Sequence, residues 1–111
     1  MNRRDRTVLE KVLKEIDCLN ELIKDTKTFE EFDADEKTKR SCVMTLINIG
    51  ELVNHLSKEF KESRKDIPFH AITGLRNVAA HGYLTLNFKL IWSTAQNSIP
   101  EFKSQIKNLL T

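Results

Sequence analysis

Glycine and proline are scarce, three and two among 111 residues. A β-sandwich or barrel needs a turn signal roughly every 8–12 residues, and this chain lacks that punctuation. Cysteine appears only as Cys18 and Cys42, with no CxxC pair and no histidine spaced for a zinc site. Both read as reduced core thiols of a cytosolic protein. No apolar run approaches the roughly 18 residues of a membrane span, and the basic start MNRRDRTVLEKVLKEID lacks the apolar stretch of a signal peptide. A cytoplasmic protein without a membrane anchor is expected. Charge of one sign is also lacking, since 18 Lys and Arg against 16 Asp and Glu leave a net charge of +2. That is too near neutral to argue nucleic-acid binding from charge alone.

What the chain does have is helical periodicity. Leu9, Val12, Ile16, Leu19 and Ile23 recur at alternating spacings of three and four, which predicts a bundle helix over about residues 5–25. Thr28 to Glu31 has the form of a capping box, and Asp33 or Asp35 can cap the next helix. That helix, the longest, is expected to run to about Lys61, with Leu46, Ile49, Leu52, Val53, Leu56 and Phe60 on one arc. Asp66 as cap and Pro68 in the first turn open a third helix that should end at Gly82. Asn87 caps a fourth, which buries Phe88, Ile91, Trp92 and Ala95. Ser98-Ile-Pro-Glu101 then reads as a capping box for a short fifth, with Phe102, Ile106, Leu109 and Leu110 inward. The expected fold is all-α, an up-and-down bundle of four main helices plus a short fifth in a single domain over 1–111.

The third helix carries the chemistry, in ITGLRNVAAHGYL (72–84). On a wheel of about 100° per residue, Ile72, Leu75, Val78, Ala79, Ala71 and Gly82 share the core side. His70, Thr73, Asn77 and His81 share the opposite arc, with Arg76 at its edge and Gly74 and Ala80 adding no bulk. Asn77 and His81, four apart, can touch. Tyr83, just past the helix end, is expected to fold back over this strip. His81 in a last turn would feel the negative end of the helix dipole, favouring its charged form.

Histidine moves protons near neutral pH, and arginine offers a planar fork matched to phosphate. Arg76 and His81 together suit metal-free RNA cleavage, in which a ribose 2′-hydroxyl attacks the adjacent phosphate. One chain supplies one acid–base group, whereas the reaction uses two, so a two-fold dimer facing two strips is expected. By spacing alone, such an Arg–His pair is most often surface decoration.

Other candidates carry less. Glu51 and His55 lack a third ligand, so no metal site and no cofactor is expected. Glu51 instead reaches Arg76 or His81 and orients it. His70 reads as surface decoration, Trp92 as core, and Arg3, Arg4 and Arg6 as a flexible basic end.

The run GLRNVAAHGY, with IP upstream and LTLNFKLIW…IPEF downstream, resembles the HepT-like branch of the HEPN superfamily. Its mark is Arg, four residues, His, one residue, Tyr, often with Asn after the Arg. Arg76, Asn77, His81 and Tyr83 match it, and INIGEL (47–52) is similar to a second landmark. Where members commonly carry an acidic residue this chain has Asn87, and where they carry a tryptophan it has Phe69-His70. The resemblance implies a helical homodimer with metal-independent endoribonuclease activity, acting as a toxin. Its antitoxin would be a minimal nucleotidyltransferase of the MntA kind that transfers AMP to Tyr83. A non-catalytic alternative is a helical subunit that binds the nucleotidyltransferase and presents Tyr83, or a nucleotide, to it.

Overall fold

The computed structural model describes residues Met1–Thr111 and contains helices and turns but no strand. Helix α1 (Arg3–Ile23) is capped by Asn2, whose side chain accepts from the Asp5 backbone N–H at 2.7 Å. Its apolar stripe, Val8, Leu9, Val12, Ile16, Leu19 and Ile23, is buried. Thr28 and Glu31 cap α2 (Phe29–Ala34) as expected. The Thr28 hydroxyl accepts from the Glu31 N–H, and the Glu31 carboxylate accepts from the Lys27 N–H. Asp35 opens α3 (Glu36–Asn54), accepting from the Thr38 N–H at 3.0 Å and its hydroxyl at 2.6 Å. Along α3, Asn48 meets Glu15, and beyond its end Ser57 meets Asp5, so α1 and α3 run antiparallel.

The long helix stops at Asn54 instead of continuing to Lys61. The cause is a buried carboxylate. Asp5, 1% exposed, accepts from the Ser57 backbone N–H at 2.8 Å and from its hydroxyl at 2.6 Å. That claims the N–H a continuing helix would need, and Ser57 becomes the cap of a separate α4 (Lys58–Ser63).

Asp66 does not cap the next helix; it takes two hydrogen bonds from Arg64, at 3.0 and 2.9 Å. Pro68 occupies the cap position of α5 (Phe69–Thr73). This α-helix is too short to reach Gly82. It tightens into a 3-10 turn at Gly74–Asn77, runs on through turns, and reverses at Gly82 (φ 103°) into a second 3-10 turn, Tyr83–Thr85. Phe69 and Ile72 fill the core from α5, whereas Ala71, expected there, is exposed.

Asn87 caps α6 (Phe88–Ser93) through the Leu90 N–H, at 3.1 Å. Ser98 does not cap; its backbone is helical (φ −65°, ψ −43°), and no side-chain bond is made. The chain passes through one π-turn, Thr94–Ser98, straight into α7 (Ile99–Leu110), so the expected fourth and fifth helices form one rod. Pro100 explains the wide turn: it has no N–H to give the preceding turn, and its ring clashes with a regular one.

The buried side chains form one apolar cluster of 22 residues. Trp92 packs half-buried on Phe32. Cys42 is buried, and burial pushes its thiol up to about 12. Cys18 is exposed rather than core, because position 18 lies about 200° round α1 from Ile16. No helix is long and apolar enough to cross a membrane.

Candidate functional site

The segment carrying Arg76 is positioned by a missing side chain. A Cβ on Gly50 would lie 2.5 Å from the Arg76 backbone nitrogen, 3.0 Å from the Leu75 carbonyl carbon and 3.1 Å from the Ile72 oxygen. The backbone of α5 and its 3-10 extension therefore rests directly on α3. The tighter winding of residues 74–77 goes with that close approach, and it abolishes the regular wheel expected to Gly82. No α-helix ends at His81, contrary to expectation; the residue lies in a turn.

Glu51, next to Gly50, reaches across the contact. The Arg76 Nε donates to its Oε1 at 3.3 Å, between side chains 37% and 46% exposed. Such a pair stabilises the fold little, since water screens it. Asn77, the next residue, and His81, five positions beyond Arg76, are exposed. Thr73, expected on the same polar arc, instead buries its hydroxyl without a hydrogen-bond partner.

Tyr83 does not fold back over this strip. Its ring packs edge-on against Phe88 (centroids 5.1 Å), with the Arg40 guanidinium 4.4 Å from its centroid. Arg40 and Glu51 are eleven residues apart on α3, so Tyr83 lies about 16 Å along the helix from the Arg76 pair. The Tyr83 hydroxyl oxygen is buried and makes no hydrogen bond. Burial first, then the nearby Glu36 carboxylate, push the phenol above its ordinary value, with Arg40 opposing. Phe88 is what draws the ring away: Gly82 reverses the chain, and the turn delivers Tyr83 to the start of α6.

Two basic grooves flank the site. One, between α1 and the second half of α3, comprises adjoining recesses of about 420 and 580 Å³ that share Lys11, Leu52 and His55. Arg3 and Arg4 line one end, and Lys14 and Glu51 the other. The arginines are thus in the first turn of α1 and not a flexible end, and Arg6 donates to the Leu110 carbonyl. The second groove includes Lys58, Lys61, Lys65 and His70. Glu15, Glu51 and His55 all line the first, and they do not form a group that could hold a metal ion.

A strandless helical fold that presents an Arg–Asn–His segment on a glycine-floored helix defines a HEPN-type helical protein. The chain belongs to the HepT-like family: the family model described as "Ribonuclease HepT-like" matches residues 12–109. Among its relatives, "Putative RNase TTE0752" of Caldanaerobacter subterraneus subsp. tengcongensis is 38% identical over 105 residues, covering 95% of this chain and 93% of that protein. "Putative RNase MJ0125" of Methanocaldococcus jannaschii is 30% identical, covering 99% and 95%. "Probable ribonuclease HepT" of Thermococcus cleftensis is 27% identical, covering 98% of each. No solved structure gives a significant match.

Sequence reasoning gives Glu51 either Arg76 or His81 as partner, of which the structure shows Arg76, and it misses Arg40 beside Tyr83 and the role of Gly50. For Gly50 a signal is available, as a glycine inside a long helix costs about 1 kcal/mol against alanine and usually marks a close backbone contact. Arg40 carries no comparable signal.

Proposed function

We propose that this chain is a metal-independent endoribonuclease acting as the toxin of a toxin–antitoxin pair. The observation that carries this reading is the Arg76–Glu51 contact, with Asn77 and His81 exposed further along the same segment. Arg76 lies on a segment whose backbone already rests on Gly50 of α3. The match to the ribonuclease family and the names of its relatives support the same reaction class.

In the reaction, the ribose 2′-oxygen bonds to the adjacent phosphorus as the bond to the 5′-oxygen breaks. A 2′,3′-cyclic phosphate and a free 5′-hydroxyl result. His81 in neutral form accepts the 2′-hydroxyl proton, or in charged form gives one to the leaving 5′-oxygen. Arg76, held by Glu51, forks onto the phosphate oxygens as charge builds there. A second copy across a two-fold axis supplies the other histidine.

Tyr83 serves control. Its oxygen attacks the α-phosphorus of ATP on the nucleotidyltransferase antitoxin, pyrophosphate leaves, and the hydroxyl proton passes to a base of that enzyme. This requires the ring to leave its contacts with Phe88 and Arg40, a movement for which Gly82 is the natural pivot.

The test is cleavage of RNA in chelator by unmodified protein, with Tyr83 confirmed free by intact mass, beside His81→Ala. Wild type is expected to leave cyclic phosphate ends, and His81→Ala to be slower by about 10²–10⁴-fold. Equal rates for the two proteins, or cleavage by neither, would remove the nuclease reading and favour a subunit that only presents Tyr83.

A further inference from the structure

We propose that the groove between α1 and α3 binds the phosphate backbone of single-stranded RNA and leads it to Arg76. This rests on the ribonuclease reading and adds to it a binding surface outside the Arg–His segment.

Ion pairing is unevenly spread over the surface. Lys24, Lys39, Arg40, Lys58, Arg64, Arg76 and Lys103 each have a carboxylate within 4.0 Å. None of those pairs involves Arg3, Arg4, Lys11 or Lys14, which line one groove. The two carboxylates of that groove, Glu15 and Glu51, make no ion pair with these four cations. Glu15 accepts from Asn48 at 3.2 Å, and Glu51 holds Arg76. Four unpaired cations against two carboxylates thus face one channel on a protein whose net charge is only +2.

Their spacing suits a phosphate chain. Positions 4, 11 and 14 follow one face of α1, and the distance from Arg3 to Lys14 is about 16 Å along the helix. At roughly 3.4 Å per nucleotide of a stacked strand, that is about five nucleotides. The groove contains no Phe, Tyr or Trp, and only His55 and the two arginines offer a flat face to a base. Backbone binding with little sequence preference is the consequence. Glu51 links the two surfaces, lining the groove and holding the arginine placed at the scissile phosphate.

The test is fluorescence anisotropy of a short labelled 2′-O-methyl oligoribonucleotide, which lacks the attacking hydroxyl and reads binding whether or not the protein is a nuclease. Wild type should bind with log K falling against log salt at a slope of about −3, from four contacts at about 0.7 each. Lys11→Gln/Lys14→Gln should bind on the order of tenfold more weakly at 0.1 M salt, with the slope reduced by about 1.4. Lys61→Gln/Lys65→Gln, in the other groove, should bind like wild type. Both are exposed or half-exposed lysine changes whose folding is checked by circular dichroism.

If Lys11→Gln/Lys14→Gln binds like wild type, the proposal fails while cleavage of natural RNA can still stand. Groove-dependent binding without cleavage leaves the groove standing and removes the nuclease. Weaker binding only by Lys61→Gln/Lys65→Gln overturns the proposal in favour of the other groove. A changed sedimentation coefficient with unchanged RNA affinity assigns the channel to a protein interface and overturns it equally.

Discussion

Replacing Gly50 by alanine tests whether a backbone contact places the candidate site. The new Cβ would stand 2.5 Å from the Arg76 nitrogen, against the 3.4 Å at which ordinary contact begins. All three of its nearest neighbours are main-chain atoms, so no flexible side chain can swing aside. Residues 72–76 must move away from α3 by roughly 1 Å, and overpacking of this kind costs about 1–3 kcal/mol. Alanine returns about 1 kcal/mol of helix propensity. The net expectation is a loss on the order of 1 kcal/mol, or about 4 °C in Tm for a chain of this size. The same shift displaces Arg76 from Glu51 and from any bound phosphate, and misplacement by about 1 Å can cost about 10²-fold in rate. The matched control is Gly74→Ala, where an added Cβ meets nothing within 4 Å and φ is −58°. It should be neutral or stabilise by about 0.4–1 kcal/mol. Urea unfolding and RNA cleavage would be measured on all three proteins. A Gly50→Ala protein as stable as Gly74→Ala, cleaving at the wild-type rate, would refute the reasoning.

Tyr83 is the chain's single tyrosine, so phenolate absorbance reports it alone. Its titration midpoint should lie above the ordinary value of about 10, and Glu36→Gln should lower it by removing the carboxylate that opposes ionisation. The phenol's contribution to stability is complete below its unfolded value and is lost as pH rises through the higher folded value; a midpoint at or below that of free tyrosine would contradict the buried hydroxyl. The thiols should separate just as clearly. With the Cys42 thiol at about 12 and buried, and Cys18 exposed, Ellman's reagent at pH 8 should titrate one thiol in the folded protein and two in guanidinium; two fast thiols in the folded protein would show that Cys42 is not enclosed.

The all-helical architecture is legible in the sequence because its signals are local. The stripe of α1 and the caps at Thr28 and Asn87 depend on residues a few positions apart and appear where expected, and of Asp33 and Asp35 the second opens α3. The departures come from distant partners. Asp5 ends α3 from 52 residues away, and no window along the chain contains both groups. The π-turn before α7 has a local origin that misleads: Ser98 and Pro100 look like a helix start, yet the helix absorbs the proline by widening. At the candidate site, local patterns leave Glu51 either Arg76 or His81 as partner, and the contact is with Arg76. They do not suffice for Tyr83, because a wheel cannot carry through a positive-φ glycine, and Phe88 lies beyond the Arg–His segment.

The carboxylate of Asp5 also bears on the entropy of association. It fixes the first turn of α1 to the start of α4, with Asn2 capping the same turn. The backbone at Arg3 and Arg4 is therefore already ordered before any ligand arrives. A polyanion meeting two cations on a mobile tail must offset the ordering of that tail, at about 1–2 kcal/mol per residue of backbone. Here folding has already met that cost, and only side-chain rotamers remain to be ordered.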